Sequence, residues 1–322
     1  MTVKRPATTT IEVTAPARLH LGFLDLNGGL GRRFGSIGLA VDQPATRLTV
    51  ARAHQNDASG PESGRVIKLL SRFAGPGSAA NYAIAVKEAI PAHAGLGSGT
   101  QLALAVGAGI SRLEGRSLNA AEMARLGDRG ARSGIGLAAF SGGGFLVDGG
   151  RGAADSAPPL TLRADFPGAW RALLILDKTR AGVSGDDETQ AFAALPPFPQ
   201  ATAAHICHLV LMKLVPGLKE IDIGAFGEAL TEIQAIAGAH FASRQGGSPW
   251  SSPAVGRLAN KMRDQGATGI GQSSWGPTGV AFVDSQIAAE RLYHSLVEDA
   301  KANGLEITIA QGRNSGARLE PV

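Results

Sequence analysis

Pro91-Ala92-His93-Ala94-Gly95-Leu96-Gly97-Ser98-Gly99-Thr100 sets glycines at alternate positions and runs straight into an apolar, small-residue stretch, Thr100 to Leu113. A glycine-rich turn that opens a helix leaves several backbone N–H groups without partners and points the positive end of the helix dipole at one spot. Phosphates bind at such spots, and Ser98 and Thr100 add hydroxyl donors. The run lacks the Gly-Lys-Ser/Thr ending of a Walker A loop and the spacing of a dinucleotide fingerprint. On spacing alone two readings stand open: a phosphate cradle, or a glycine-rich helix cap that holds no ligand.

Outward from this run the chain alternates strand-like and helix-like segments. Ile11 to Phe23 and Thr46 to His54 mix β-branched and polar residues as strands do, and Val66 to Leu70 is a short apolar strand candidate. The spacing of Ala80, Ala83, Ile84 and Val86 predicts a helix over Pro76 to Ile90, with a strand just ahead of Pro91. Asn119 and Glu122 form a capping box that opens a helix to about Arg132, and Gly142 to Val147 predicts a strand. Residues 149–160 have the composition of an exposed connection, so two domains are expected, 1–155 and 156–322. Beyond it, Trp170 to Leu176 predicts a strand, helices are expected at about 200–214, 222–240 and 252–265, and a strand ends at Ala281 to Asp284. Gln286 to Asn303 predicts a helix and Leu305 to Ala310 a last strand. Interleaving of this kind in both halves predicts an α+β fold, sheets packed on helices.

Composition narrows the function classes. The chain has 322 residues, 44% of them apolar and 18% charged, which suits two globular domains and excludes a disordered chain. Its 44 glycines cluster without a period, which excludes a collagen-like repeat. The net charge of +4 fits a basic cleft for a small anion or simply a mildly basic surface. There is no dense Lys/Arg run and few aromatics to stack bases, so no nucleic-acid partner is expected. Cys207 is the single cysteine, and His205, Cys207 and His208 fit no common zinc spacing. Met1 to Thr10 is polar, without the apolar segment of a signal peptide, and no uninterrupted apolar run approaches the roughly 20 residues that span a bilayer. A cytoplasmic protein without a membrane partner is expected.

Three runs, in order, resemble the motifs of the GHMP kinase superfamily. Ala15-Pro16-Ala17-Arg18-Leu19-His20-Leu21-Gly22 is similar to the first, and Pro91, Gly95, Leu96, Gly97 and Ser98 to the second. Gly269-Ile270-Gly271-Gln272-Ser273-Ser274-Trp275-Gly276-Pro277-Thr278-Gly279 lies where the third falls. The resemblance implies a two-domain GHMP-kinase-like fold: a ribosomal-protein-S5-like N-terminal domain, a ferredoxin-like α/β sandwich after it, and the active site between them. Many of these kinases carry a catalytic aspartate in a Ser-Gly-x-Asp stretch beyond the loop. The matching residues here are Ser133-Gly134-Ile135-Gly136. Glycine neither accepts a proton nor orients a hydroxyl, so ordinary phosphoryl transfer lacks its base.

Longer strings resemble one non-kinase branch, the β-ribofuranosylaminobenzene 5′-phosphate synthases. They are Arg18-Leu19-His20, the run from Leu24 through Asp25, Asn27, Arg32 and Arg33, the run Gly35 to Ala40, and residues 269–278. This resemblance implies a decarboxylating phosphoribosyltransferase. It would join phosphoribosyl pyrophosphate to 4-aminobenzoate, releasing carbon dioxide and pyrophosphate and forming a C-riboside on the way to tetrahydromethanopterin.

Such a donor needs two anion sites. Gly95, Leu96, Gly97, Ser98, Gly99 and Thr100 offer one; the second glycine-rich run, with Ser273, Ser274 and Thr278, offers another, or is a tight turn between strands. Departing pyrophosphate leaves positive charge on the sugar, which a carboxylate stabilises. Asp25 is the candidate, or it caps the turn at Asn27-Gly28-Gly29. Arg18, Arg32 and Arg33 suit the acceptor's carboxylate, or Arg18 is a structural ion-pair partner, and Asn27 and Lys178 are further substrate-binding candidates. His20 alternates with Arg18 on a strand, as a proton donor or acceptor or as a satisfied core histidine. Lys178 to Glu188 has the glycines and charges of a mobile loop. In it Asp186, Asp187 and Glu188 are candidate ligands for Mg²⁺ on the pyrophosphate, or a solvated acidic patch. Trp275 would stack on the aromatic substrate or fill the domain interface. No organic cofactor is implied and a homodimer is expected. The alternatives are an ATP-dependent small-molecule kinase and a non-catalytic phosphate-binding protein.

Overall fold

β1 (Thr10–Asp25) and β2 (Phe34–Ala53) pair antiparallel along nearly their whole length, from Thr10 opposite Ala51 to Asp25 opposite Phe34. They form the spine of a computed structural model that describes residues 10–74, 80–116, 118–130, 132–153, 157–182 and 186–322. Register shifts at Pro16/Ala17 and His20/Gly22 let this long ribbon bend. β3 (Asp57–Ser59) leads into α1 (Ser63–Ala74), then β4 (Asn81–Glu88), which pairs antiparallel with β2 and parallel with β3.

Two expectations fail here for one reason. In the Val66 to Leu70 stretch, Val66, Leu69, Leu70 and then Phe73 are buried, the i, i+3, i+4, i+7 spacing of a helix that only a longer window reveals. In the stretch expected to be helical, Tyr82, Ile84 and Val86 are buried at period two and alternate with small or polar residues, so it is a strand.

α2 (Ser98–Leu113) lies across this sheet, buried along most of its length. Its glycines admit neighbours closely: a Cβ at Gly107 would stand 2.6 Å from the Phe73 ring, and one at Gly109 would stand 2.5 Å from Val50. α3 (Ala120–Leu126) opens on the Asn119/Glu122 capping box but stops six residues before Arg132, at Gly127 and a left-handed Asp128 with φ 57°. α4 (Ile135–Gly142), β5 (Phe145–Asp148) and β6 (Leu160–Ala164) follow, with β5 pairing β2 and β6.

The chain leaves this first sheet only after Ala164. β7 (Arg171–Asp177), α5 (Asp186–Ala193), α6 (Gln200–Leu209), a π-helical segment (Val210–Leu214), α7 (Val215–Glu220), α8 (Ile223–Phe241), α9 (Pro253–Asp264), β8 (Thr268–Gln272), β9 (Thr278–Val283), α10 (Gln286–Ala302) and β10 (Leu305–Gln311) come next. The four strands among them form a second sheet in the order β10-β7-β9-β8. Finally β11 (Arg318–Pro321) returns to pair with β1, so the first sheet runs β11-β1-β2-β4-β3. Two α+β halves are thus tied by both ends of the chain. Their cores also merge: Leu19 and Phe145 share one buried cluster with Trp170, Phe226 and Phe282. Gln200–Glu220 is long and apolar enough by composition to cross a membrane. In this fold its Ile206, Leu209, Leu214 and Leu218 face that shared cluster, as in an amphipathic core helix.

Candidate active site

The loop at residues 94–97 is held from behind. Arg18 donates its backbone N–H to Leu96 O (3.1 Å) and its guanidinium to Gly95 O. The Ser273 hydroxyl donates to Gly95 O (2.7 Å), and the Thr278 hydroxyl to Ala94 O (2.7 Å). With its carbonyls taken, the loop turns through Gly95 (φ 79°) and Gly97 (φ 82°) into α2, and no side chain caps the first turn. The unused N–H groups and the positive helix end therefore face the cleft. At Gly95 only glycine fits, since a Cβ there would stand 2.2 Å from Ser273 O.

Two adjoining cavities open at this helix end. One, of about 420 Å³, is walled by the loop itself with Arg65, His93 and Gly182. The other, of about 250 Å³, is walled by His20, Phe23, Asp128, Arg132, Ser133, Gly136 and Phe192. Arg18, Thr100, Arg129 and Ser274 line both. Burial, and then the charge of Arg65, pull the Arg129 guanidinium below its ordinary pKa. His20 is 4% exposed; burial first, and next the Arg18 charge, hold its pKa down at about 3. Its ring therefore favours the neutral form at physiological pH, with one ring nitrogen protonated and the other an acceptor. Behind α4, buried Asp148 accepts from the N–H groups of Gly134 (2.9 Å), Gly150 (3.0 Å) and Ser36 (3.1 Å), and burial raises its pKa. It fixes the turn that presents Ser133 and Gly136 to the smaller cavity.

Of the residues singled out in the sequence, Arg18, His20, Gly95, Gly97, Ser98, Gly99, Thr100, Ser274 and Trp275 line these cavities, and Leu96 is the buried residue between the loop glycines. Others are committed elsewhere. Ser273 is fully buried; its hydroxyl also accepts the His20 N–H (3.0 Å), so it belongs to the joint behind the loop and not to the anion site. Trp275 is 3% exposed and packs on Phe192 and Phe241, so most of it fills the interface. Asp25 caps its own turn, accepting from Asn27 N (2.6 Å) and Gly28 N (2.9 Å), and lines neither cavity. Asn27 itself donates to Phe198 O (2.6 Å). Arg32 donates to the carbonyls of Gly149 and Gly150 (both 2.6 Å), and Arg33 to Leu26 O (3.2 Å) while stacking over Phe34. Lys178 is ion-paired with Glu306 on the second sheet. Asp25, Asn27, Arg32, Arg33 and Lys178 thus hold turn, strand and surface partners here and line neither cavity.

Asp186, Asp187 and Glu188 open α5, so the stretch read as a loop becomes helix there, but their side chains lie outside the described residues. Among the described residues no group of three or more His, Cys, Asp or Glu side chains is gathered to hold a metal. Sequence reasoning missed Arg65, Arg129 and Arg132. The last two stand in Asp128-Arg129-Gly130-Ala131-Arg132-Ser133-Gly134, a charged, glycine-punctuated run just ahead of the glycine at 136. That run was legible as a second anion-facing loop once the expected helix was stopped at Gly127.

Comparison with known proteins agrees with this architecture. Residues 63–144 match the GHMP kinases N terminal domain and residues 214–302 the GHMP kinases C terminal domain. The chain is 32% identical to the β-ribofuranosylphenol 5′-phosphate synthase of Methanothermobacter thermautotrophicus, covering 95% of this chain and 97% of that one. It is likewise 32% identical to the proteins of that name from Methanocaldococcus jannaschii (95% and 99% covered) and Archaeoglobus fulgidus (96% and 99%). Among solved structures it resembles homoserine kinase from Cytophaga hutchinsonii, with a TM-score of 0.70, 18% identity and coverage of 99% and 100%. Mevalonate diphosphate decarboxylase from Staphylococcus aureus gives a TM-score of 0.66 at 16% identity, covering 98% of each chain. At such identities the structures speak to the fold alone.

Proposed function

The chain belongs to the β-ribofuranosylphenol 5′-phosphate synthase family within the GHMP superfamily, and on that premise we propose that it is a decarboxylating phosphoribosyltransferase. It takes phosphoribosyl pyrophosphate and a para-substituted benzoate to a C-riboside 5′-phosphate, carbon dioxide and pyrophosphate, a step toward a one-carbon carrier of the tetrahydromethanopterin type. One observation supports this above the rest: a helix-end anion cradle ringed by Arg18, Arg65, Arg129 and Arg132, with glycine at 136 where a phosphoryl-transfer base is expected.

The chemistry asks for charge more than for a base. The C1–O bond of the donor breaks and its electron pair leaves on pyrophosphate. The ring carbon that bears the carboxylate bonds to C1, and the pair of the C–carboxylate bond restores the aromatic ring as carbon dioxide departs. A para amino or hydroxyl group feeds electron density to that carbon. The relatives are named for the phenol, while the sequence strings suggest 4-aminobenzoate; the two acceptors differ by this one group. The loop N–H groups and the arginines bind the leaving pyrophosphate and lower the cost of its charge. Asp128 lines the smaller cavity, and a carboxylate there would offset positive charge on the sugar, the role expected of Asp25. Mg²⁺ commonly uses one or two carboxylates plus substrate phosphates. An ion held largely by the donor's own oxygens would neutralise charge on the pyrophosphate. A cytoplasmic homodimer is the assembly we expect.

The test is release of carbon dioxide from carboxyl-labelled 4-aminobenzoate and 4-hydroxybenzoate with phosphoribosyl pyrophosphate and Mg²⁺. Release that needs both substrates is the expected result, and the faster acid identifies the acceptor. Silence with both acids, together with transfer from labelled ATP to an alcohol, would replace this reading with a kinase.

A further inference from the structure

We propose that the smaller cavity is the subsite for the aromatic acid, and that the absence of a side chain at Gly136 is what admits an acid there. The inference rests on the phosphoribosyl-transfer reading and adds where the acceptor lies and what selects it.

The two cavities differ in chemistry. The larger is lined by the loop backbone and Arg65, with His93 and the largely buried Trp275 beside them, and fits a phosphate chain. The smaller has aromatic walls. Phe23 and Phe192 meet edge-on with centroids 5.7 Å apart, and the His20 ring lies 4.5 Å from Phe23. Arg129 and Arg132 line the same cavity with Asp128, and the Arg132 guanidinium lies 5.5 Å from the centroid of the Phe192 ring. Apolar aromatic surface beside a guanidinium fork is what a single-ring carboxylate needs: one wall for the ring and one for the charge. At about 250 Å³ the space suits one ring rather than a nucleotide. The walls the cavities share, Arg18, Thr100, Arg129 and Ser274, then mark where sugar C1 meets the ring carbon.

Gly136 sits at that seam. Its carbonyl accepts from the buried Gln101 Nε2 (2.8 Å), which locks α4 to α2. A Cβ at 136 would stand 3.0 Å from Thr100 Cγ2, and a longer side chain would enter the cavity that Arg18, Arg129 and Arg132 also line. A carboxylate there would pair with the cations that the acid needs and would repel the acid itself. Alanine adds only the tight Cβ, without charge, and its backbone angles are those of any helical residue.

The experiment compares Gly136→Asp and Gly136→Ala in the full chain, with KM for donor and acid read from carbon dioxide release. Binding of unsubstituted benzoate, which lacks the para donor and should not react, is read separately by saturation-transfer NMR. Gly136→Asp should raise the acid KM by roughly 30-fold or more and abolish benzoate binding, with the donor KM within about 3-fold; Gly136→Ala should change the acid KM by less than about 5-fold. The preserved donor KM shows that the variant is folded. An unchanged acid KM in Gly136→Asp, or an equal rise in Gly136→Ala, overturns the inference while leaving the reaction intact. If the wild type binds benzoate, loses it on Gly136→Asp, and yet releases no carbon dioxide, the subsite stands and the reaction reading falls.

Discussion

The two glycine-rich runs, 91–100 and 269–279, look alike in sequence and are hydrogen-bonded differently, although Ser274 of the second also lines both cavities. Both combine glycines with Ser and Thr, and each invites reading as a phosphate cradle. In the first, the carbonyls are tied down and the N–H groups at the head of α2 are left over. In the second, the hydroxyls do the tying: Ser273 and Thr278 spend their protons on Gly95 O and Ala94 O. Even Gly276 serves this joint, since a Cβ there would stand 2.4 Å from Ala94 O. The difference lies in where the protons go, and composition does not carry that information.

The largest expected effect falls on the point where the runs touch. Gly95→Ala forces a Cβ to 2.2 Å from the Ser273 carbonyl at φ 79°, and neither neighbour is a flexible side-chain end. The cost should exceed about 3 kcal/mol and should appear as a collapse in melting temperature. Gly97→Ala, at φ 82°, meets the Arg18 side chain at 3.1 Å, which can give way. It should cost about 1 kcal/mol and act chiefly on donor KM. If the two variants melted alike, the division between joint and cradle would be wrong.

His20 supplies a second way to break the contrast, because it is clamped by the second run: its N–H donates to Ser273 and its carbonyl accepts from Ser274 N (3.1 Å). Its folded pKa, about 3, lies below the ordinary 6.5. Folding therefore opposes protonation, so the associated stability is intact above pH 6.5 and is lost as pH falls toward 3. At pH 5 the loss from this group should be about 2 kcal/mol, or close to 1.4 kcal/mol for each pH unit below 6.5. Urea unfolding at pH 7.5, 6 and 5 measures it, and His20→Gln should lack that component. Parallel pH slopes for the two proteins would show that the ring is already solvated.

Much of the fold was legible because long segments carry one period: β1, α2, α8 and α10 fall where hydrophobic spacing puts them. The errors came from alanine and glycine, which suit either period, as at β4, and from windows too short to show one, as at α1. Within the candidate site, Arg18, His20 and the loop were legible as cavity-lining candidates since they lie in specific strings. Arg65, Arg129 and Arg132 were not, since they arrive from α1 and from the turn after α3, and only the folded chain gathers them. Asp25 and Ser273 show a further limit of composition. Their polar atoms are as suited to holding a turn or a loop as to holding a ligand, and hydrogen-bond partners decide between these uses.

That ambiguity can be sharpened by one pair of variants. Ser273→Ala removes a buried hydroxyl that bonds both the loop and His20, leaving Gly95 O short of a donor and the His20 N–H without an acceptor; the expected cost is about 1–3 kcal/mol of stability. Arg129→Gln removes a cation that faces both cavities from a turn, so donor KM should rise roughly 10- to 100-fold while the melting temperature barely moves. A Ser273→Ala protein with full stability and a raised donor KM would return Ser273 to the anion site.

The smallest effect is expected at Lys178, and it tests whether a charge near the cleft in sequence needs to be near it in space. Lys178 follows β7, one turn before Gly182, whose N–H donates to His93 O (2.7 Å) at the edge of the larger cavity. Its side chain, however, turns to Glu306 on β10, and both partners are well exposed, at 66% and 47%. An exposed pair of this kind contributes under about 1 kcal/mol, because water screens it and two long side chains must be ordered. Lys178→Ala should therefore lower stability by less than that and leave the KM for donor and acid unchanged. A donor KM raised several-fold would mean that Lys178 leaves Glu306 when phosphate arrives, and the cradle would then extend onto the second sheet.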